Sequence, residues 1–430
     1  MHIKIEKLIY GGDGLARLAA DENGPGKSVF VPFVLEGETA EAEITEQKPG
    51  FSRAHLERVI EPAATRIEAG CPYFQRCGGC HYQHTPYSNQ LTIKANILRE
   101  TLRRTAKIEL PCELHVHPSP EWKYRNRTRL KIQTAPEFAV GYYKFRSHDL
   151  LPIEQCPISS PLISQAITQL WAAGQERKVP ECLREIELFT NASDSDLLVE
   201  LYCQPRTPRR EARDIAERFM PILPAAKGVA VLEHPSVNQV SEPLLLAHFG
   251  NTDLCYETKS HKYRVSTGSF FQANRFLMDE LVGLATDGAT GKLALDLYAG
   301  VGLFSAVLAR SFAQVIAVEA SQTSLADLRH NCGQEVKAVR ATTEKYLAQS
   351  SELHADLVVA DPPRGGLGEN VVRSLARLDV PRITYVSCDP STLARDLRTF
   401  VALGYQMVEA HLIDLFPQTF HIESVFRLTR

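Results

Sequence analysis

The chain has 430 residues, 44% of them hydrophobic, which is enough for two or three cores. No apolar run approaches the ~18 residues of a membrane span, and Met1–Lys7 lacks a signal-peptide core, so a cytoplasmic protein without membrane contact is expected. The net charge of −3 excludes a global attraction to nucleic acid, and ten cysteines without a secretion signal point to metal ligation or catalysis rather than a disulfide framework.

Residues 1–62 carry short β-type runs at Ile3–Ile5, Val29–Phe33, Thr39–Ile44 and Ala54–Val59. Gly11-Gly12-Asp13-Gly14 and Asn23-Gly24-Pro25-Gly26 break them up, a pattern that predicts a small barrel. Residues 63–260 form a less regular, α+β middle. It opens with Cys71, Cys77 and Cys80 in a C-x5-C-x2-C spacing. A zinc ion would take a fourth ligand from His81, His84 or Cys156, and an iron–sulfur cluster would take Cys156; the spacing leaves both open. A helix is expected over Tyr87–Thr105. Lys123, Arg125, Arg127, Arg129 and Lys131 then alternate, so that in a strand all five project from one face, where RNA phosphates would balance them. Leu188–Thr190 and Asp196–Tyr202 read as paired antiparallel strands around Asn191–Asp194.

From 261 strands and helices alternate, with strands expected at Leu293–Leu297, Val315–Val318, Asp356–Ala360 and Ile383–Val386. This is the pattern of a doubly wound, Rossmann-like parallel sheet. Asp296 to Gly302 reads D-x-x-x-G-x-G at the first strand end, the second strand ends in Glu319, and the third ends in Asp361-Pro362-Pro363-Arg364. Polar groups at three strand ends of one sheet favour S-adenosylmethionine over a nicotinamide cofactor. A carboxylate at Glu319 is suited to ribose hydroxyls.

Cys388 follows the fourth strand and precedes a helix opening at Pro390, which favours a reactive thiolate. Asp-Pro-Pro followed by an aromatic is the pattern of amine methylation, but Arg364 takes the aromatic's place and that reaction needs no thiol. Carbon 5 of uracil does need one, because it becomes nucleophilic only after a thiolate adds to carbon 6. A base must afterwards remove the carbon 5 proton. Glu423 is the candidate base, with His421 and Asp414 as alternatives.

These segments, with Gly268–Asn274, Tyr385–Pro390, Thr392–Asp396 and Phe416–Ser424, resemble the RNA 5-methyluridine methyltransferases over most of the chain. The resemblance implies Cys388 as nucleophile and Glu423 as base, with Gln272, Tyr298, Glu319 and Asp361 around S-adenosylmethionine. It also implies a four-iron, four-sulfur cluster on Cys71, Cys77, Cys80 and Cys156, and an N-terminal barrel of the TRAM type. Large-subunit (23S) ribosomal RNA is the implied target and a monomer the implied state. A transfer RNA T-loop, an exocyclic amine and a non-catalytic RNA-binding role are the alternatives.

Overall fold

The computed structural model describes residues 1–18, 26–234, 243–350 and 352–430. Asn23-Gly24-Pro25 of the expected turn lies outside them. Five strands, β1 (His2–Leu8), β2 (Asp13–Arg17), β3 (Ser28–Pro32), β4 (Thr39–Gln47) and β5 (Phe51–Glu61), close a barrel in the order β1-β2-β3-β5-β4. Alternating burial along β1 and β4 places Ile3, Ile5, Ala40 and Ala42 in its core. Sequence reasoning missed β2. Gly11 and Gly12 supply the positive φ of the hairpin turn, and Asp13-Gly14, read as part of the break, already begins the strand.

Helix α1 (Tyr87–Thr101) continues through a π-helical turn at Leu102–Ala106, in line with the expected helix to 105. The short strand β6 (Leu114–His117) follows. Then β7 (Arg127–Gln133), β8 (Ala139–Tyr143), β9 (Leu150–Pro152), helix α2 (Pro161–Gln175), β10 (Leu183–Thr190), β11 (Leu197–Cys203), helix α3 (Arg209–Phe219), β12 (Ala226–Glu233) and β13 (Leu245–Gly250) build a seven-stranded sheet. Its order is β13-β12-β11-β10-β7-β8-β9. β10 and β11 pair antiparallel around the turn at Asn191–Asp194, as their sequence suggests.

A hairpin, β14 (Asp253–Glu257) with β15 (Lys262–Ser266), leads through α4 (Met278–Thr286) into the last sheet. That sheet contains β16 (Gly291–Leu297), β17 (Phe312–Glu319), β18 (Val336–Arg340), β19 (Leu357–Ala360), β20 (Arg382–Ser387), β21 (Gln406–Ile413) and β22 (Glu423–Thr429). Helices α5 (Ser305–Leu308), α6 (Gln322–Cys332), α7 (Thr343–Ala348), α8 (Gly368–Arg377) and α9 (Pro390–Ala402) connect them. The order β18-β17-β16-β19-β20-β22-β21-β6 is doubly wound, and the strand order reverses between β16 and β19.

Two segments cross the boundaries expected from sequence. Helix α1 and β6, expected in the middle unit, pack on the last sheet, where β6 pairs parallel with β21. The β14–β15 hairpin spans residue 260, and Leu254, Tyr256, Tyr263 and Val265 join the same core as α4 and β16. Apolar alternation marks a strand, but it does not say which sheet the strand will join. Among the described residues no helix is long and apolar enough to cross a membrane.

Candidate active site and cysteine cavity

Parallel strands β16, β17, β19 and β20 end on one edge of the last sheet, and the loops that follow them meet there. After β16 the chain turns sharply. Tyr298 adopts φ +61, an unusual conformation for an aromatic residue, and Gly302 adopts φ +91. A Cβ at Gly302 would lie 2.6 Å from Leu328 and 2.9 Å from Cys332, so only glycine lets this loop sit against α6. The Glu319 carboxylate accepts from Gly300 N at 2.8 Å and from Ser321 N at 2.6 Å. It therefore fixes the glycine loop to the end of β17.

Asp296 is fully buried and accepts from Ser305 Oγ at 2.5 Å, and burial pushes its carboxyl up to about 7. Asp361 is likewise pushed up to about 7 by burial, with Asp296 adding to the shift. Gln272 Nε2 donates to Asp361 Oδ2 at 3.3 Å. Gln272 lies in a loop far from these strands in sequence; bottom-up it reads as an ordinary polar residue, and only the family resemblance singles it out.

Cys388 follows β20 and Glu423 opens β22. Because β22 runs antiparallel, its first residue lies at the same edge as the end of β20. Ser387 pairs with Ser424, and Ser424 Oγ donates to Ser387 O at 3.3 Å. The ladder ends there, one residue short of Cys388, and Glu423 is the charged group that acts most on the Cys388 thiol, so the two lie near one another at this edge. Glu423 is 3% exposed, and burial, with Asp361 nearby, pushes its carboxyl far above the usual carboxylate range.

The expectation of a preformed thiolate is corrected. Burial, then Glu423 and Asp361, push the Cys388 thiol up to about 12, and Arg364 is the cation that opposes them. The helix end does not rescue it, because the Asp389 carboxylate caps α9 by accepting from Ser391 N and Thr392 N and so screens that positive end. Of the alternative bases, Asp414 is bound to Lys94 Nζ at 2.6 Å in a fully buried ion pair. His421 Nδ1 lies 3.3 Å from an Arg364 nitrogen, and burial followed by Arg364 lowers its pKa to about 3.

Cys71, Cys77, Cys80 and Cys156 line one cavity of about 260 Å³ together with Arg125 and Tyr142. Burial raises the thiols of Cys71, Cys77 and Cys80, Cys77 to about 11, and the neighbouring thiols add to each shift. The four thiols ring a space rather than meet at a point. Among the described residues no three His, Cys, Asp or Glu side chains converge on a single-ion site. The Arg125 Nε is buried there without a hydrogen-bond partner.

The basic strand is not an open RNA face. Lys123, at φ +57, and Arg125 precede β7, and β7 lies inside its sheet, between β10 and β8. Its register sets Arg129 opposite Glu187 and Lys131 opposite Glu185. Arg129 pairs with Glu187 at 2.6 Å, Lys131 pairs with Glu185, and Arg127 pairs with Glu187 and lies 3.6 Å from Glu200. Arg127 also donates to Ser269 O at 2.5 Å, so this charge braces the segment that carries Gln272. Alternation identified the shared face, but the carboxylates that neutralise it come from strands more than fifty residues away in sequence.

A family model described as tRNA (Uracil-5-)-methyltransferase matches residues 86–430, and a TRAM domain model matches residues 1–56. A protein of Aquifex aeolicus named as an uncharacterized RNA methyltransferase is 31% identical over 432 residues, covering 99% of this chain and 97% of its own. The 23S rRNA (uracil(1939)-C(5))-methyltransferase RlmD of Pectobacterium atrosepticum is 32% identical over 438 residues, covering 98% of this chain and 92% of its own. Among solved structures, the Pyrococcus abyssi tRNA (uracil-54, C5)-methyltransferase in complex with S-adenosyl-L-homocysteine matches with a TM-score of 0.78 over 100% of both chains. At 24% identity that match shows a shared fold.

Proposed function

The chain belongs to the tRNA (uracil-5-)-methyltransferase family of class I, S-adenosylmethionine-dependent RNA methyltransferases, and from that premise we propose that it methylates carbon 5 of a uridine in 23S ribosomal RNA. Cys388 and Glu423, brought to one sheet edge by β20 and β22, carry this reading. S-adenosylmethionine supplies an electrophilic methyl group. The Cys388 thiol gives up its proton to solvent as its sulfur bonds carbon 6 of a uracil extruded from its stack; carbon 5, now an enolate carbon, takes the methyl group as the donor's sulfur–methyl bond breaks, and S-adenosylhomocysteine leaves. Glu423 then takes the carbon 5 proton, the enolate re-forms the ring double bond, and the sulfur–carbon 6 bond breaks. An amine acceptor would leave the thiol without a task.

Gln272, Tyr298, Glu319 and Asp361 hold the donor in this reading. Asp361, kept partly protonated by burial, and Gln272 offer hydrogen bonds, while Glu319 retains lone pairs for ribose hydroxyls. The cysteine cavity holds a four-iron, four-sulfur cluster on Cys71, Cys77, Cys80 and Cys156. A zinc ion would need its donors within about 2.3 Å of one point. A cluster reaches donors spread around a cavity, and the Arg125 side chain, its Nε buried without a partner, suits its negative charge. Methyl transfer needs no electron, so the cluster is structural.

One feature favours ribosomal RNA as substrate: the relative of that name is 32% identical and aligns over nearly the whole chain. Mapping 5-methyluridine in ribosomal and transfer RNA from a deletion strain, followed by complementation, tests the reading. Loss of a 23S site is expected. Loss confined to the transfer RNA T-loop would replace this target with the alternative one.

A further inference from the structure

The segment around Arg125 touches two places that matter. Arg125 lines the cysteine cavity beside Tyr142, Cys156 and Cys80. Among the described residues it has no carboxylate partner, whereas Arg127 and Arg129 each have at least one. A partly buried cation without an anion, its Nε lacking a partner, carries a cost, and the charge is tolerated best where an anion fills the space beside it.

The backbone of the same segment joins two stretches of chain. Arg125 N donates to Ile158 O at 2.9 Å, and Ser160 N donates to Arg125 O at 2.8 Å, tying it to the stretch that begins at Cys156. On its other side Asn126 N donates to Ala273 O at 3.0 Å, and Arg275 N donates to Tyr124 O at 3.0 Å. Arg125 thus forms bridges with both Ser159 and Asn274, three residues beyond Cys156 and two beyond Gln272.

We propose, on the four-iron reading of the cavity, that Arg125 is a positioning residue that couples the cysteine centre to the methyl-donor site. With the anionic cluster in place the guanidinium has its counter-charge, and the segment 124–126 is held in register against 273–275. Without the cluster the guanidinium is left unpaired in a poorly solvated cavity. The segment then loosens, and Gln272 loses its fixed position beside Asp361. The cluster contributes to donor affinity through structure, with no electron transferred. By linkage, a bound donor must equally favour retention of the cluster.

The test uses full-length protein purified without oxygen and S-adenosylhomocysteine as probe. Iron content and visible absorbance come first: protein without either would sink the four-iron reading itself, before any probe is added. With the cluster present, iron transfer to a chelator is followed with and without saturating probe. About tenfold slower release with probe is expected for the parent, a coupling in the usual range. In Arg125→Met the protection should fall to about twofold or less, and Arg125→Lys, which keeps the charge, should recover part of it. An unprotected parent, or equal protection in the parent and Arg125→Met, would overturn the proposal. If Arg125→Met does not fold by circular dichroism, the parent and Arg125→Gln decide on the same criterion.

Discussion

Cys388 follows and Glu423 precedes the Ser387–Ser424 pair that ends the β20–β22 ladder, so the two lie at one edge of the sheet although thirty-odd residues separate them in sequence. Two antiparallel strands thus bring a thiol and a carboxyl to one edge. The ladder carries Glu423, and the bend that follows β20 carries Cys388.

Cys388→Ala should abolish methylation and covalent adduct formation while binding S-adenosylhomocysteine as the parent does, because the thiol addresses the base and not the donor. Isothermal titration and a turnover assay check both halves. Residual turnover would remove the addition mechanism.

In Glu423→Gln, methyl transfer should proceed once and then stall. The protein–RNA adduct should survive a denaturing gel and accumulate stoichiometrically. Multiple turnover without adduct would assign the proton removal to another group.

The high pKa of Cys388 makes a pH prediction with a definite sign. Below about 12 the thiolate fraction rises roughly tenfold per pH unit, so alkylation of this thiol by iodoacetamide should be slow near neutrality and climb steeply with pH. Arg364 lowers that pKa, so Arg364→Gln should slow alkylation further, by roughly three- to tenfold. A fast rate that is flat with pH would mean a thiolate at rest.

Lys94 Nζ lies 2.6 Å from Asp414 and 2.9 Å from Phe416 O, all within the core that leads to Glu423. Lys94→Met should destabilise the protein by about 3–5 kcal/mol, since it leaves a buried carboxylate unpaired. Lys94→Met with Asp414→Leu should recover much of that loss in urea unfolding. Equal stability of the single variant and the parent would contradict the pairing.

Arg129 is engaged by Glu187 and lies over the Tyr202 ring at 4.1 Å. Arg129→Gln should therefore leave the salt dependence of RNA binding unchanged and cost about 1 kcal/mol of stability, discounted because the side chain is partly exposed. A flattening of the log–log salt slope by about 0.7 would restore it as a phosphate contact.

The catalytic end of the molecule was legible because its chemistry sits at strand ends. Short, largely apolar runs between helical stretches located β16, β17, β19 and β20, and their ends carry Tyr298, Glu319, Asp361 and Cys388. Partnerships across distance were not legible. Nothing near Arg127 or Arg129 announces Glu185, Glu187 or Glu200, so an ion-paired interior strand looked like a basic surface. The reactivity of Cys388 was misjudged for the same reason. Its helix end was visible in sequence, but the burial and the facing carboxylates that outweigh it are tertiary facts.

The placement of β6 has a consequence for how this protein can be taken apart. Strand β6 closes the outer edge of the last sheet against β21, and α1 supplies Lys94 to the pair that anchors Asp414. Both come from a part of the chain that lies well over a hundred residues upstream of β16, with the whole seven-stranded sheet between. The methyltransferase unit is thus discontinuous. A fragment cut near residue 261 would expose the edge of β21 to pairing with other chains and strand a carboxylate in its core. During synthesis, α1 and β6 emerge long before their partners and must wait for the last strands of the chain. Any recombination that moved this catalytic unit to another protein would have to carry residues 87–117 with it.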